Sequence, residues 1–287
     1  MNTTACLNGV IGPIEEAKVS VWDRGFVFGD SVYEVFRLYA GRLWLEAEHL
    51  ERLERSLHEV EFPAVDFKRL RSRIAATIGS SGVLEGTVYI QITRGVAPRA
   101  HAYPEPPVEP TELIVVRPYD DSATAAHREK GVAVISEPDR RWKRCDIKST
   151  NLLANVMALE HAHRAGAFET ILIDAQGRVT EATHSSLLWI RDGRLMGTPE
   201  GEEILPGTKR RFLRELAESL GIGFAEESIS PAELVRQDEV VLTGTTIEVM
   251  PVIRIDDRTV GTGSPGSITK RLQAAYQAAV TERLRSH

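Results

Sequence analysis

The chain has 287 residues, of which 42% are hydrophobic and 26% are charged, and its formal net charge is −6. These ordinary globular values exclude wholesale disorder, and a chain of this length can bury the core of one large domain or two smaller ones. The net negative charge disfavours a nucleic-acid binder, and no apolar run reaches the length of a membrane span. With no signal-peptide pattern and only two cysteines, we expect a cytoplasmic protein without nucleic-acid or membrane partners.

Strands and helices are mixed in the first 117 residues. Period-two patterns and turn signals predict strands, and apolar residues at helical spacing predict helices. In chain order the predicted elements are a strand over Lys18–Trp22, a hairpin of Val32–Tyr39 and Leu43–Leu45, helices over Ala47–Val60 and Asp66–Ile78, and strands over Gly86–Thr93 and Glu112–Val116. A proline-rich loop separates the last two strands, and long loops of this kind are often functional.

The composition becomes polar after Arg117, which predicts a boundary between two domains. We expect a small N-terminal domain over residues 1–117, a linker over 118–126 and a larger C-terminal domain over 127–287. The second domain is predicted to contain a strand over Gly131–Ser136, a helix over Leu152–Arg164, a strand-rich block over Thr170–Met196, a helix over Gly207–Leu220, strands over Val240–Thr243 and Val249–Ile255, and a helix over Ile268–Leu284. The whole chain is predicted to have an α+β fold.

Lys148 is the lysine whose setting suggests chemistry. It follows a stretch with four basic residues, which are Arg140, Arg141, Lys143 and Arg144, and it precedes an apolar helix. Neighbouring cations disfavour the charged form of an amine, and a neutral amine is the nucleophile that forms a Schiff base. A basic, solvated turn explains the same pattern, so the local sequence leaves both interpretations open.

Two further segments have the character of anion sites. Residues 205–208 lead directly into a helix, whose start offers backbone N–H groups and the positive end of the helix dipole. Residues 243–246 follow a strand and offer threonine hydroxyls beside a glycine. Either segment alone is equally well explained as an ordinary helix start or turn, but together they suggest a phosphorylated cofactor or substrate.

Three other residues are candidates for binding. Arg99 and His101 lie in the proline-bounded loop. Arginine suits bidentate recognition of a carboxylate, but an ordinary exposed loop explains the two residues equally well. Glu181 closes a strand after a turn; alone it is a surface glutamate, and beside a pyridine nitrogen it would be the partner that holds the proton. We expect no metal site, because His161 and His163 stand two apart on a helix and do not face each other.

These segments occur in an order that resembles the class IV, fold-type IV family of pyridoxal-phosphate aminotransferases. The resemblance spans essentially the whole chain and rests on widely separated motifs. They are residues 23–35 (DRGFVFGDSVYEV), 48–53 (EHLERL), Arg94-Gly95, Lys148 with 151–153, Glu181, 204–207 (ILPG) and 243–246 with Glu248. The family implies a two-domain fold with pyridoxal 5′-phosphate in the interdomain cleft, and a homodimer.

The resemblance also implies residue roles. Lys148 would carry the cofactor as a Schiff base and then move the proton during transamination. Glu181 would pair with the pyridine nitrogen, and Leu205 would pack against the cofactor ring. The phosphate would be bound by the residues Arg52, Thr208, Lys209 and Thr245.

Within the family, residues 94–101 (RGVAPRAH) and 141–149 (RWKRCDIKS) are similar to the D-amino-acid aminotransferase subgroup. That similarity implies that Tyr33, Arg99 and His101 hold the substrate carboxylate, with Arg99 and His101 contributed across subunits. The implied reaction transfers an amino group from a D-amino acid, such as D-alanine or D-glutamate, to 2-oxoglutarate or pyruvate by a ping-pong mechanism. A branched-chain L-aminotransferase, an (R)-amine transaminase and an aminodeoxychorismate lyase of the same fold stay open as alternatives.

Three positions depart from the family pattern. Lys209 stands where relatives usually carry a hydroxyl residue, and Ile247 where some carry serine. His184 interrupts a segment that is commonly rich in serine. These departures bear on cofactor contacts and on side-chain preference rather than on the class of reaction.

Overall fold

The computed structural model describes residues 3–285, which form two compact units. The first unit runs to Asp120 and also contains Ile147–Asn151, and the second contains Asp121–Asp146 and the chain from Leu152 onward. The division falls inside residues 118–126, where the sequence predicts a linker. Five residues that the sequence analysis assigns to the C-terminal domain, 147–151, belong to the first unit, because their backbone pairs with a strand of that unit.

The first unit is built on a six-stranded antiparallel sheet of order β2-β1-β6-β5-β3-β4. Its strands are β1 (Thr4–Leu7), β2 (Val10–Pro13), β3 (Ser31–Tyr39), β4 (Arg42–Leu43), β5 (Gly86–Thr93) and β6 (Thr111–Pro118). Its helices are α1 (Arg24–Phe28), α2 (Glu46–Glu59) and α3 (Phe67–Ser81). The long strands β3 and β5 pair from Ser31 opposite Thr93 to Leu38 opposite Gly86, so alternate side chains of both strands share a face.

Helices α2 and α3 supply the apolar side of this unit's core. Leu50, Leu53 and Leu57 recur at helical spacing on α2 and are at most 5% exposed. They join one cluster with Phe36 and Ile90 from the sheet. The core therefore lies between the two helices and one face of the sheet, which leaves the other face to carry polar and aromatic side chains.

The second unit is built on a nine-stranded mixed sheet of order β12-β11-β10-β13-β14-β7-β8-β9, with β15 paired to β14. Its strands are β7 (Val132–Pro138), β8 (Glu169–Ile173), β9 (Val179–Ala182), β10 (Ser186–Arg191), β11 (Arg194–Gly197), β12 (Phe224–Glu226), β13 (Glu239–Gly244), β14 (Glu248–Ile255) and β15 (Arg258–Thr259). Its helices are α4 (Ser122–Lys130), α5 (Leu153–Arg164), α6 (Thr208–Ser219), α7 (Pro231–Leu234) and α8 (Ser267–Arg285). Its core includes Trp189, Leu242 and Met250, all of which are fully buried.

The structure corrects two local predictions. Lys18–Trp22 is not a strand: its apolar members Val19, Val21 and Trp22 are 49%, 69% and 53% exposed, and the segment ends in a turn before α1. The second half of the predicted linker is helical, because α4 begins at Ser122.

The α+β class is confirmed, with two sheets and their helices. No helix within residues 3–285 is long and apolar enough to cross a membrane.

Candidate active site

The segment that carries Lys148 is held on β3 of the first unit. The backbone N–H of Tyr33 donates to the Lys148 carbonyl at 3.0 Å, and Thr150 N–H donates to the Ser31 carbonyl at 3.1 Å. The Lys148 N–H donates to the hydroxyl of Ser56 on α2 at 3.2 Å. The lysine backbone is thus fixed from both sides, and its half-buried side chain places Nζ 4.3 Å from the centre of the Tyr33 ring.

The face of the sheet next to Lys148 is aromatic and polar. The Tyr33 ring lies 5.7 Å from that of Tyr89, whose hydroxyl donates to Gln91 Oε1 at 2.8 Å. Gln91 Nε2 in turn donates to Ser31 Oγ at 3.2 Å. Burial, together with the neighbouring Tyr33 hydroxyl, raises the pKa of Tyr89 to about 12, so this phenol stays protonated near neutral pH. Tyr89 and Gln91 were missed by the sequence analysis, although the register of β3 and β5 puts them beside Tyr33.

Arg52 lies in a buried ionic cluster on the opposite face of β3. Its Nε and one terminal nitrogen donate to the two carboxylate oxygens of Glu34 at 2.7 and 2.9 Å. His49 Nδ1 lies 2.7 Å from the same carboxylate. Burial alone would raise the pKa of Glu34, but the charges and hydrogen bonds of Arg52 and His49 outweigh it and hold that pKa far below its usual range. The cluster fixes the orientation of the Arg52 guanidinium.

Glu181 lies on β9 of the second unit, buried beside Arg141. One Arg141 terminal nitrogen and the Leu205 N–H both donate to Glu181 Oε1, the latter at 3.2 Å. Asp139 binds the other side of the same guanidinium, at 2.9 Å from Nε and 2.7 Å from the second terminal nitrogen. Burial opposes the charge of Arg141, but these carboxylates more than offset it and raise its pKa. A partner of this charge favours the ionised form of Glu181.

The ion pairs change the interpretation of the basic stretch before Lys148. Arg141 is engaged by Asp139 and Glu181, and Arg144 is engaged by Asp146 at 3.0 and 3.1 Å. Because carboxylates neutralise these two guanidiniums, the stretch is not the free cationic patch that the sequence suggested. Neighbouring cations are therefore no evidence for an activated lysine. The observation that singles out Lys148 is instead the position of its amine against the Tyr33 ring.

Helix α6 provides the start that was predicted as an anion site. Gly207 is its N-cap, so no side chain from that position caps the helix, and Thr208 and Lys209 are buried in its first turn. A Cβ at Gly207 would approach Ser186 Oγ to 2.5 Å, which favours glycine here. Thr245, in the turn between β13 and β14, is half-buried. A helix start, two threonines and a lysine are a donor set that fits a phosphate group.

Arg99 and His101 are exposed in the first unit. The Arg99 guanidinium lies 5.2 Å from the centre of the Phe28 ring, and the His101 ring lies 5.5 Å from it. Neither side chain hydrogen-bonds to Tyr33 within the part of the chain that the structure describes. The structure thus brings Tyr33 and Lys148 together, whereas Arg99 and His101 lie beside Phe28 of the same unit.

The departures at Lys209 and His184 differ in setting. Lys209 is 2% exposed. The side chain of His184 is 47% exposed, and its Nδ1 lies 2.7 Å from Glu169, a carboxylate that is itself 0% exposed. Glu169 also accepts hydrogen bonds from Thr183 and Ser185, so it organises the segment that follows Glu181. Among the described residues no group of three or more His, Cys, Asp or Glu is placed to hold a metal ion.

Comparison with known proteins identifies the family. A family model described as amino-transferase class IV matches residues 31–255. A D-alanine aminotransferase of Staphylococcus epidermidis is 40% identical over 279 residues, which cover 96% of this chain and 97% of that protein. A D-alanine aminotransferase of Bacillus licheniformis is 38% identical over 274 residues and covers 95% of both chains.

A solved structure gives the same result for the fold. The branched-chain amino acid aminotransferase of Escherichia coli superposes with a TM-score of 0.90 at 26% identity, covering 97% of this chain and 94% of that one. The predicted fold-type IV architecture and the predicted aminotransferase activity are therefore confirmed. The chain belongs to the class IV aminotransferase family.

Proposed function

We propose that this enzyme transfers the amino group of a D-amino acid, such as D-alanine or D-glutamate, to 2-oxoglutarate or pyruvate in two half-reactions. The relatives named D-alanine aminotransferase support this substrate class, since they match at 38–40% identity over nearly the whole chain. The observation that carries the proposal is the fixed position of Lys148, with its amine against the Tyr33 ring.

Pyridoxal 5′-phosphate is the proposed cofactor, and the residues present fit it. When bound through its aldehyde, this cofactor withdraws electrons from the substrate α-carbon and so weakens the bonds to that atom. Lys148 Nζ would hold the cofactor through its aldehyde group. The phosphate is assigned to the α6 start at Thr208 and Lys209, to Thr245 and to Arg52, whose orientation Glu34 fixes.

Glu181 is proposed to hold the proton on the pyridine nitrogen. Its pairing with Arg141 keeps a negative charge at this position, and an anion there stabilises a protonated ring nitrogen. Leu205 is proposed to pack on the ring, and its backbone N–H already orients Glu181. Lys148 Nζ would also be the base and acid that moves a proton at the substrate α-carbon during each half-reaction.

The substrate carboxylate is assigned to Tyr33, Arg99 and His101. We propose a homodimer in which Arg99 and His101 act across subunits. Their exposure supports this, and so do the exposed apolar side chains of Val21, Trp22 and Phe26 in the same part of the chain, since a patch of this kind marks an interaction surface. The cytoplasmic location stays a prediction.

Borohydride trapping tests the lysine. Reduced holoenzyme, digested and analysed by mass spectrometry, should carry the cofactor mass on Lys148. Lys148→Ala should lose both the adduct and the activity, whereas Lys143→Ala, which changes an exposed lysine five residues earlier, should keep both. An adduct elsewhere, or none, would overturn the proposed mechanism.

A half-reaction titration tests the substrate class. The visible absorbance of the bound cofactor should change with D-alanine and stay constant with L-alanine, L-leucine or a chiral primary amine. A response to L-leucine would favour the branched-chain activity for which the superposed Escherichia coli structure is named. A response to the amine would favour an amine transaminase, and pyruvate release without an amino acceptor would indicate a lyase.

A further inference from the structure

The loop that carries Arg99 and His101 has little regular structure of its own. Between β5 and β6 it forms one isolated bridge, at Val96 with Asp23. The functional side chains are exposed, yet the arginine that supports them, Arg24, is 3% exposed. A loop that binds a carboxylate tightly must hold its side chains in a fixed geometry. The buried hydrogen bonds that hold the loop backbone therefore affect how tightly the loop binds the carboxylate.

Arg24, in the first turn of α1, contacts the backbone of the loop. One terminal nitrogen donates to the carbonyls of Ala100 and Ala102 at 2.7 and 3.2 Å, and the other donates to the His101 carbonyl at 3.5 Å. The Arg24 backbone N–H donates to the Gly95 carbonyl at 2.9 Å. One residue therefore holds the loop at its beginning and at the three residues that directly follow Arg99.

A shared carboxylate fixes Arg24 itself. Arg24 Nε donates to Asp30 Oδ2 at 2.7 Å, and Arg94 Nε donates to the same carboxylate at 2.8 and 3.1 Å. The terminal nitrogens of Arg94 donate to the carbonyls of Val60 and Glu61 at 2.6 and 3.0 Å. Both guanidiniums have side chains that are 4% exposed, so the cluster is a rigid, desolvated anchor for the loop.

We propose that Arg24 is a positioning residue for carboxylate recognition, acting through the backbone of residues 100–102 to set Arg99 and His101. The inference rests on the proposed function, because it requires that Arg99 and His101 bind the substrate carboxylate. It also explains what holds the binding loop in its geometry. A lysine at this position cannot replace the planar fork that spans Asp30 and three carbonyls.

The test is a double-mutant cycle on holoenzyme with D-alanine as donor. Arg24→Lys should raise KM for D-alanine at least about tenfold, because the loop that binds the carboxylate loses its alignment. The kcat should change less than about threefold, because the position of Lys148 is unaffected. Arg99→Ala should raise KM as well. In the double variant KM should rise above that of Arg99→Ala by a smaller factor than Arg24→Lys gives alone, because Arg99 is already absent and only His101 is left to be misplaced. The control Arg42→Lys, on the exposed surface of β4, should match the wild type.

The outcomes separate the two proposals. If Arg99→Ala leaves KM unchanged, the carboxylate assignment and with it the proposed function of the loop are wrong. If Arg99→Ala raises KM but Arg24→Lys does not, or if their effects multiply in the double variant, the positioning role of Arg24 is wrong. Should Arg24→Lys fail to accumulate as holoenzyme, Asp30→Asn takes its place, with the same direction and the same non-additivity with Arg99→Ala expected.

Discussion

Replacing Glu34 by glutamine should destabilise the first unit far more than an equivalent change at the surface. Glu34 is 0% exposed and accepts from Arg52 at 2.7 and 2.9 Å, and Arg52 is itself 8% exposed. Glu34→Gln therefore leaves a buried guanidinium without its counter-charge, and breaking a buried pair in this way costs about 3–5 kcal/mol. With a denaturant slope of about 2 kcal/mol per molar, the urea midpoint should fall by about 1.5–2.5 M.

Glu46→Gln is the matched control. Glu46 pairs with Arg71 on the surface, with side chains that are 38% and 47% exposed, and such pairs contribute only about 0–1 kcal/mol. Urea unfolding of cofactor-free protein, followed by circular dichroism, compares the two variants without any effect of cofactor affinity. Equal midpoints for Glu34→Gln and Glu46→Gln would refute the claim that the Glu34–Arg52 pair holds this unit together.

The pH dependence of the same pair has a definite sign. Because the pKa of Glu34 is lowered in the folded protein, its contribution is fully present above the unfolded carboxyl pKa of about 4.3 and is lost as the pH falls below that value. The difference in stability between wild type and Glu34→Gln should thus shrink as the pH falls below about 4. A difference that stays unchanged down to about pH 2 would contradict the assignment.

Three further predictions concern the backbone and the aromatic face. Gly95 has φ of +100°, and a Cβ there would lie 2.1 Å from the Glu109 carbonyl oxygen, so Gly95→Ala should cost more than about 1 kcal/mol in chemical denaturation, whereas Gly79→Ala, in open space on α3, should stabilise by about 0.5–1 kcal/mol. Ser230→Ala removes the capping box of α7 and should cost about 1 kcal/mol in the same assay. In Tyr89→Phe, an ultraviolet titration should show one phenol fewer among those that ionise near pH 12. The raised pKa of Tyr89 stabilises the fold below about pH 10, and this contribution is lost between about pH 10 and 12. If the missing phenol is one that ionises near pH 10, the raised pKa is wrong.

The helices were predictable because their apolar residues repeat at helical spacing. Leu50, Leu53 and Leu57 predicted the helix that the structure gives as Glu46–Glu59. The first two strands were missed, although Asn8-Gly9 between them is a strong hairpin signal and both residues have positive φ. The predicted strand at Lys18–Trp22 failed because period-two alternation indicates a half-buried strand only where a neighbouring strand exists to pair with it.

The sequence proposes the candidate site as a set of residues but does not give their contacts. Lys148 and Glu181 were singled out from sequence, whereas the partners that orient them come from distant positions. Arg141 reaches Glu181 across 40 residues, and Ser56 reaches the Lys148 backbone across 92. The Glu34 cluster had a usable signal, since an acidic residue interrupts the apolar Val32–Leu38 stretch opposite a helix that presents His49 and Arg52 three residues apart.

The return of residues 147–151 to the first unit has a consequence for how this protein is made. The chain leaves that unit after Asp120, contributes Asp121–Asp146 to the other, and comes back for five residues before leaving again. During synthesis from the N-terminus, the first unit cannot acquire the Ser149 bridge to Val32 or the Lys148 carbonyl that accepts from Tyr33 until residue 151 has emerged from the ribosome. A fragment ending at Asp120 would contain Tyr33 and Arg52 but not Lys148, so the two units are not separable modules. Any exchange of the first unit between relatives must therefore transfer two segments together.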